Sequence, residues 1–369
     1  MAGDTGIAWA DKVWNPLRGC SRVSAGCMNC YAERFAMRMA GPGKAYEGLV
    51  EAGPKGPRWT GKLRFVEKDL EQPLKWRKPQ RVFVNSMSDF AHPDVMYEWA
   101  VKIFAVMAVC PEHTFMILTK RPDNLRIFLD QLSLKDIAEQ AERFGWWADG
   151  GAVWADVMNA ALPLANVQIG VSVEDQATAD ERIPILLDTP AAVRWASVEP
   201  MLGPVDLARA GWDSCAECGG AGETAGHYFA DDGMAPCEQC GGKGQAPGPR
   251  LDGIVCGGES GGGARWMHPS WPEALRDQAV AAGTPFFFKQ WGSWKPMLYA
   301  APGDDGKPVR IVKLAFGPRE IIAELGGSEK DRINMIKVGV KAAGRVMLDG
   351  REWLQIPEVR DRGSEGRCK

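Results

Sequence analysis

The sequence contains no hydrophobic run long enough to span a membrane and no excess of charge of either sign. Its longest apolar runs, such as residues 100–110, fall well short of the roughly 20 residues that a membrane helix needs. Lys and Arg number 44 against 47 Asp and Glu, which gives a formal net charge of -3. A nucleic-acid-binding surface would therefore have to be a local patch, and we expect no membrane partner.

An apolar leader is also missing at the start of the sequence, although there are 10 cysteines. Disulfide-rich secreted domains are short, whereas this chain has 369 residues and groups its cysteines in C-x2-C pairs. We therefore expect metal-binding cysteines in a reducing cytoplasm. The content of 45% hydrophobic and 25% charged residues is ordinary for a globular protein.

The first cysteine group is informative because it lacks a fourth ligand. Cys20, Cys27 and Cys30 are spaced C-x6-C-x2-C, with neither a fourth cysteine nor a histidine beside them. Three thiolates are one too few for a closed zinc site or for a fully cysteine-ligated [4Fe–4S] cluster. A cluster held by three cysteines leaves one iron open to a ligand from outside the protein. The alternatives are a redox pair of Cys27 and Cys30, or half of a zinc site that distant residues complete.

Short apolar runs alternate with helical patterns along the chain, and each run ends in polar residues. The predicted strands are residues 81–85, 113–118, 167–171, 193–196, 253–256 and 285–288. Helical patterns cover residues 93–110 and 272–282, and a longer helical stretch at 125–147 is expected to include an inserted turn or lid. This alternation predicts an α/β protein with a parallel sheet, arranged as a (β/α) barrel or a partial TIM-like barrel. Polar residues at the carboxyl ends of such strands are the expected site.

A second cysteine group has the spacing of a zinc site. Cys215, Cys218, Cys237 and Cys240 form C-x2-C-x18-C-x2-C, and each half is a C-x2-C-G-G-x-G knuckle. Four thiolates close a tetrahedron, so we expect a structural zinc. A second iron–sulfur cluster is the alternative. Over this insert alone, the knuckles resemble those of the cysteine-rich region of J-domain co-chaperones.

Several blocks of the sequence resemble a phage and prophage family with a three-cysteine motif, a divergent branch of the radical S-adenosylmethionine (SAM) superfamily that includes spore-photoproduct lyase. They are Trp14-Asn15-Pro16, Gly19-Cys20, Gly26-Cys27, Cys30-Tyr31-Ala32-Glu33 and residues 118–122, 169–174, 197–206, 257–261 and 287–292. The resemblance implies a radical SAM barrel over residues 1–294. The zinc-binding insert at 211–248 and a C-terminal subdomain at 295–369 complete the expected organisation.

The resemblance also implies site residues, because radical SAM enzymes bind SAM on the open iron and beside the barrel strands. The cofactor-binding candidates are Ser86, Ser88, Glu174 and Tyr31, and the catalytic candidates are Glu199, Glu259 and Lys289. From the residues alone, Ser88 is equally well a helix cap. The charged candidates are equally well salt bridges at the rim of the barrel.

The implied chemistry begins when a reduced cluster cleaves SAM to a 5′-deoxyadenosyl radical, which abstracts hydrogen from the substrate. The best specific prediction is an isomerase that converts an N-linked amino-acid adduct of thymine to a C-linked one in phage DNA. The expected partners are DNA and a one-electron reductant such as flavodoxin, in the host cytoplasm if the gene is phage-encoded. The alternatives are a DNA-repair lyase, an RNA- or protein-modifying radical SAM enzyme, and a non-catalytic zinc-stabilised nucleic-acid-binding module.

Overall fold

A computed structural model describes residues 6–145, 157–210 and 250–297, with short segments at 223–225, 234–236, 321–322, 334–337, 347–348 and 351–355. Cys215, Cys218, Cys237 and Cys240 lie outside the described residues, so the zinc site stays a prediction. Within the described ranges, no helix combines the length and the apolar character that crossing a membrane requires.

Seven parallel strands form the central sheet. They are β1 (Lys12–Trp14), β2 (Arg81–Val84), β3 (Thr114–Thr119), β4 (Val167–Val173), β5 (Val193–Val198), β6 (Gly253–Gly257) and β7 (Phe286–Gln290). The strands lie side by side in chain order, and every neighbouring pair is parallel. An order without reversal is typical of a (β/α) barrel, whereas a doubly wound sheet reverses direction. The predicted α/β class is confirmed, and the described strands form about half of a barrel.

The two central strands are longer than the apolar runs that predicted them. β4 continues to Val173 and β5 to Val198. Ser172 and Ser197, which the sequence placed beyond the strand ends, are therefore inside the strands and directly opposite each other in the register. In the sequence, a serine ends each of these apolar runs and predicts the end of the strand. The strands continue past it because the lumen of a barrel accepts polar side chains.

Six helices of the described part of the chain accompany the sheet. They are α1 (Tyr31–Met37), α2 (Tyr97–Ala108), α3 (Pro122–Gln131), α4 (Leu134–Arg143), α5 (Gln176–Asp188) and α6 (Ser270–Ala281). The long helical stretch predicted at 125–147 is two helices, and the break is at Ser133, whose hydroxyl accepts the Asp136 amide and caps α4. Asp175 and Thr178 form a capping box at the start of α5.

The main hydrophobic core lies between the outer face of the sheet and these helices. Val84, Ile117 and Val171 on the strands belong to the same buried cluster as Ile103 and Phe104 on α2. The strands are buried on both faces, which explains why their sequences are near-continuous apolar runs.

A second, smaller cluster fills the amino-terminal end of the lumen. Trp9 precedes β1 and places its ring 4.7 Å from the ring of Phe83 and 5.2 Å from that of Trp195, centroid to centroid. Trp195 lies over Gly170 on the neighbouring strand, where a Cβ atom would overlap the indole. The three rings pack together and form an aromatic floor below the carboxyl ends of the strands.

Short strands and single helical turns surround this frame. The strands are Leu17–Arg18, Val50–Gly53, Gly56–Trp59, Arg64–Phe65, Glu223–Ala225, Met234–Pro236, Trp294–Met297, Ile321–Ile322, Asn334–Lys337, Met347–Leu348 and Arg351–Glu352, and the 3₁₀ turns are Ala25–Cys27, Glu67–Asp69 and Pro73–Lys75. The hairpin at residues 50–59 packs through Trp59 against Ala32 and Ala36 of α1. Near the chain end, the Phe288 amide donates to the Trp353 carbonyl at 2.8 Å, so residues 353–355 extend the sheet beside β7.

Candidate functional site

A cavity of about 490 Å³ occupies the lumen above the aromatic floor. Residues that follow β2, β3, β5 and β6 line it, and the loop that carries the first cysteine group forms one wall. Cys20, Cys27 and Cys30 all reach this one space. A concave site at the carboxyl ends of parallel strands is where barrel enzymes bind their ligands.

The three thiols are unbridged, and burial suppresses the ionisation of Cys20 and Cys30. Desolvation raises the pKa of the Cys20 thiol to about 12, and it raises the pKa of Cys30 as well. These thiols are therefore protonated at neutral pH until a metal replaces the proton. A redox-active C-x2-C pair is typically marked by a lowered thiol pKa, whereas the pKa of Cys30 is raised.

The residues present fit a three-cysteine cluster. In the described ranges, no group of three His, Cys, Asp or Glu side chains is arranged around a single metal ion. The set is made of three soft ligands that face open space on one side, which suits a cluster with one open iron.

The loop from Cys20 to Cys30 is tied down at several points, beginning at its first residues. The Arg121 guanidinium donates to the carbonyl and the hydroxyl oxygen of Ser21 at 2.9 and 2.8 Å. Asp89 holds that guanidinium at 2.7 Å and also accepts the Thr119 hydroxyl at 2.6 Å. The Ser21 hydroxyl lies 2.8 Å from His92 Nε2. The ends of β2 and β3 therefore fix the backbone next to Cys20.

Glu174 fixes the middle of the loop from behind. Its side chain is fully buried, and it pairs with Lys120 and Arg182 at 3.0 Å each. The Ser24 hydroxyl donates to the same carboxylate at 2.7 Å, and a Cβ on Gly26 would overlap it. Glu174 is not among the residues that line the cavity, and its contacts make it a support of the loop.

Two further ion pairs hold the ends of the loop. Arg22 binds Glu33 of α1 through two hydrogen bonds of 3.0 and 2.7 Å. Glu259, at the end of β6, accepts Asn29 Nδ2 at 2.9 Å and the Arg265 guanidinium at 2.6 Å. Burial would raise the pKa of Glu259, but hydrogen bonds from Arg265 and Asn29 outweigh it and lower the pKa. The loop geometry is thus set before any metal binds.

The remaining predicted site residues line the cavity. Glu199 accepts both hydrogen bonds of a close pair with Lys289 Nζ, at 2.6 and 2.9 Å. The Ser86 and Ser88 hydroxyls donate to Asn15 Oδ1 and to the Leu17 carbonyl, at 3.1 and 3.2 Å. Tyr31 donates its hydroxyl to the Ser86 carbonyl at 2.7 Å. The structure therefore brings these five residues and the three cysteines around one space.

Sequence reasoning missed several residues of the site. Lys120, Arg121 and Asn29 line the cavity, and Arg265 contacts the cysteine loop. Lys120 and Arg121 follow β3 in the same way that Glu199 follows β5, so the strand-then-polar pattern was sufficient to find them. Asn29 and Arg265 carry no such signal, because Asn29 contacts Glu259 across 230 positions and Arg265 contacts the loop at Ala25 across 240 positions.

The comparison with protein families agrees with the extent of this fold. Residues 4–357 match the model of the family described as protein of unknown function (DUF5131). The chain belongs to this family. Curated proteins and solved structures gave no match.

In this DUF5131 chain, the charges that line the cavity are balanced within the described residues. Three cations and three anions line it, namely Lys120, Arg121, Lys289, Asp89, Glu199 and Glu259. Each has an ion-pair partner. Lys289 binds Glu199, and Arg121 binds Asp89. Lys120 binds Glu174, and Glu259 binds Arg265. A ligand therefore meets paired charges at the rim, and it binds there by exchanging partners.

Proposed function

We propose that the chain is a radical SAM enzyme in which Cys20, Cys27 and Cys30 hold a [4Fe–4S] cluster. The observation that supports this most directly is the convergence of the three cysteines on one cavity at the carboxyl ends of parallel strands. The loop is held in place by ion pairs, which favours a preformed ligand set. When bound, the reduced cluster supplies the electron that cleaves SAM and starts hydrogen abstraction.

The chain's own residues would bind and orient the reactants. Ser86, Ser88 and Tyr31 line the wall next to Cys20 and Cys30, which suits them to the amino and carboxyl groups of SAM. Glu174 orients the loop through Ser24. The aromatic floor supplies apolar surface below the lumen.

The proposed substrate is a thymine that carries an amino-acid adduct in phage DNA, and the proposed reaction moves the attachment from nitrogen to carbon. The Glu199–Lys289 pair supports an amino-acid adduct, because its two halves match the ammonium and carboxylate of that group. In the free enzyme each half neutralises the other. A zwitterionic ligand can replace both contacts without leaving a charge unpaired. A base reaches such a site only after leaving the duplex, which costs a few kcal/mol.

The first experiment tests the cluster. Anaerobic reconstitution with iron and sulfide should give about four irons per chain and a brown protein, and alanine at Cys20, Cys27 or Cys30 should abolish both. Cys110 is buried and lies outside the loop, so Cys110→Ser is the matched control. Zinc bound at the three cysteines in place of iron would contradict the proposal.

The second experiment tests the reaction. Reduced enzyme, supplied with dithionite or flavodoxin, is incubated with SAM and adducted DNA, and the nucleosides are analysed by mass spectrometry. An isomer of unchanged mass is expected together with 5′-deoxyadenosine. A fragment of lower mass would indicate a lyase, and SAM cleavage with no altered nucleoside would indicate an RNA or protein substrate. A colourless zinc protein that binds DNA without cleaving SAM would be a non-catalytic module.

One structural zinc on the second cysteine group is part of the same proposal. A chain in which Cys20, Cys27 and Cys30 are all alanine isolates that group, because its only clustered cysteines are then at 215–240. Metal analysis should find about one zinc per chain, bound tetrahedrally by four thiolates. Iron in place of zinc would identify a second cluster.

A further inference from the structure

Two serine hydroxyls lie side by side in the lumen with no protein partner. Ser172 on β4 and Ser197 on β5 are register neighbours, and their side chains both reach the cavity. Ser172 is 5% exposed and Ser197 is 1% exposed. Among the described residues, neither hydroxyl takes part in a hydrogen bond, although the Ser172 carbonyl accepts one from Arg182. Both side chains line the cavity, so a ligand bound there can hydrogen-bond to either hydroxyl.

Two more unpartnered polar groups belong to the same cavity. Asn85 Nδ2 and Trp9 Nε1 are buried and lack an acceptor in the described part of the chain, and both residues line the lumen. Asn85 also has a positive φ of 59°, which costs a non-glycine residue energy. Its Oδ1 accepts the Leu17 amide, so the side chain has a fixed orientation with its NH₂ unused. We call the part of the lumen between the aromatic floor and the Glu199–Lys289 pair the lower lumen. It therefore contains several polar groups that can hydrogen-bond to a ligand.

The charge distribution restricts what these groups bind. Lys289 and Glu199 pair at the next inward position of the strands, two residues beyond Ser197. Below that pair the lining consists of hydroxyl, amide, indole and apolar side chains, such as Phe83 and Leu118. A phosphate or a carboxylate would lose its hydration there without gaining a cation. The lower lumen therefore fits a neutral, planar group with hydrogen-bonding edges.

We infer that Ser172 and Ser197 form the specificity subsite for the base, and that they bind the O2 and N3–H edge of a thymine inserted into the lumen. A hydroxyl both donates and accepts, so the pair can donate to the O2 carbonyl and accept from N3–H. Phe83 and Leu118 supply apolar surface for the ring. The choice of thymine rests on the proposed function, whereas the neutral heterocycle rests on the lumen itself.

This orientation places the reacting carbon where the chemistry is proposed. Carbon 5 of thymine lies across the ring from the O2 carbonyl. With the O2 and N3–H edge on the serines, a substituent on carbon 5 points to the rim, where Glu199, Lys289 and the cysteine loop lie. If SAM binds at the cysteine loop, as the proposed function requires, it would occupy the rim and leave the lower lumen to the second reactant. The subsite therefore determines both which base is accepted and which end of it faces the radical.

The test compares nucleoside binding by wild type, Ser172→Ala, Ser197→Ala and the double variant. Calorimetric titration uses thymidine, 3-methylthymidine and adenosine as probes on the full chain, with and without SAM. Each alanine should weaken thymidine binding by about 3- to 10-fold, which corresponds to one hydrogen bond. Blocking N3 with a methyl group should weaken binding to the wild type by about tenfold or more, and the double variant should bind both thymidines alike.

Ser270→Ala is the matched control, because Ser270 is exposed on α6 and away from the cavity. Thermal melts show whether each variant is folded. Binding that is equal for all variants, or no binding of any nucleoside up to millimolar concentration, would overturn the subsite. Adenosine binding that depends on the serines while thymidine binding does not would assign the hydroxyls to the adenine of SAM and would also overturn it. Since nucleoside binding is read without iron, failure of the cluster and failure of the subsite are distinguishable.

Discussion

Substitution of Glu174 by Gln should destabilise the protein and loosen the cysteine loop. Glu174 is 0% exposed, and its partner Arg182 is 1% exposed, so the variant leaves a guanidinium buried without its counter-charge. Removing one member of a buried pair typically costs about 3–5 kcal/mol. Lys120 is more accessible than Arg182, so losing its contact adds no more than about 1 kcal/mol. We therefore expect the free energy of unfolding to fall by about 4 kcal/mol.

Urea titration followed by circular dichroism measures this change, and Glu181→Gln is the matched control. Glu181 lies on α5, as Arg182 does. It is 61% exposed, and its carboxylate lies 3.9 Å from the Arg182 guanidinium. Its replacement should change stability by no more than about 0.5 kcal/mol. A double variant, Glu174→Gln with Arg182→Gln, should be more stable than the sum of the single effects predicts, because it removes the unpaired charge.

The reactivity of the thiols in the cysteine loop gives a second measurement. It would not change if Glu174 contributed only to stability and did not hold the loop. Ser24 donates to Glu174, and Gly26 packs against it, so the Glu174→Gln variant should expose the nearby thiols. Iodoacetamide labelling of Cys20, Cys27 and Cys30 in the metal-free chain should become faster than in the wild type. A stability loss below about 1 kcal/mol, together with unchanged labelling rates, would refute the role given to Glu174.

Three further changes test the lumen and its rim. Trp9→Ala should lower the free energy of unfolding by about 3–5 kcal/mol in urea titration, because it removes a ring packed against Phe83 and Trp195. Gly170→Ala should cost about 1–3 kcal/mol in the same assay, because the added methyl overlaps the buried Trp195 indole, and paired replacement by a smaller ring should restore most of that loss. The pKa of Glu259 is lowered in the folded chain, so its contacts stabilise the fold above the ordinary carboxyl pKa, and this contribution disappears as the pH falls through the lowered value. Acid unfolding of Glu259→Gln should therefore depend less on pH over that window than acid unfolding of the wild type.

The strands of the fold were predictable from the sequence because each is buried on both faces. All six predicted strands begin within one residue of their observed positions, which are 81, 114, 167, 193, 253 and 286. The ends were less predictable, since a lumen-facing serine interrupts an apolar run without ending the strand. β1 was not predicted, because three residues beside Trp14 give too little periodicity.

The candidate site was predictable as a set of positions but not as a set of contacts. The strand-then-polar pattern located Glu199, Glu259 and Lys289, and all three line the cavity. The same pattern selected Glu174, but its side chain turns behind the loop because Lys120 and Arg182 hold it there. Pairings of this kind depend on side chains brought together from strands far apart in the chain. A sequence pattern gives the positions of such residues and contains no information about their partners.

The balance of charge inside the cavity has a consequence for how nucleic acid reaches it. The net charge of the whole chain is -3, and the cations that line the lumen are already paired. Neither the net charge of the chain nor the lumen supplies a strong attraction for the phosphate backbone of the proposed DNA substrate, so attraction of that kind would have to come from a local patch outside the lumen. Selection of a substrate must then depend on short-range contacts with the base itself, such as the hydroxyl pair on β4 and β5. Under this mechanism, salt should weaken binding of a whole DNA strand only modestly and should leave nucleoside binding almost unchanged, because few counterions are released.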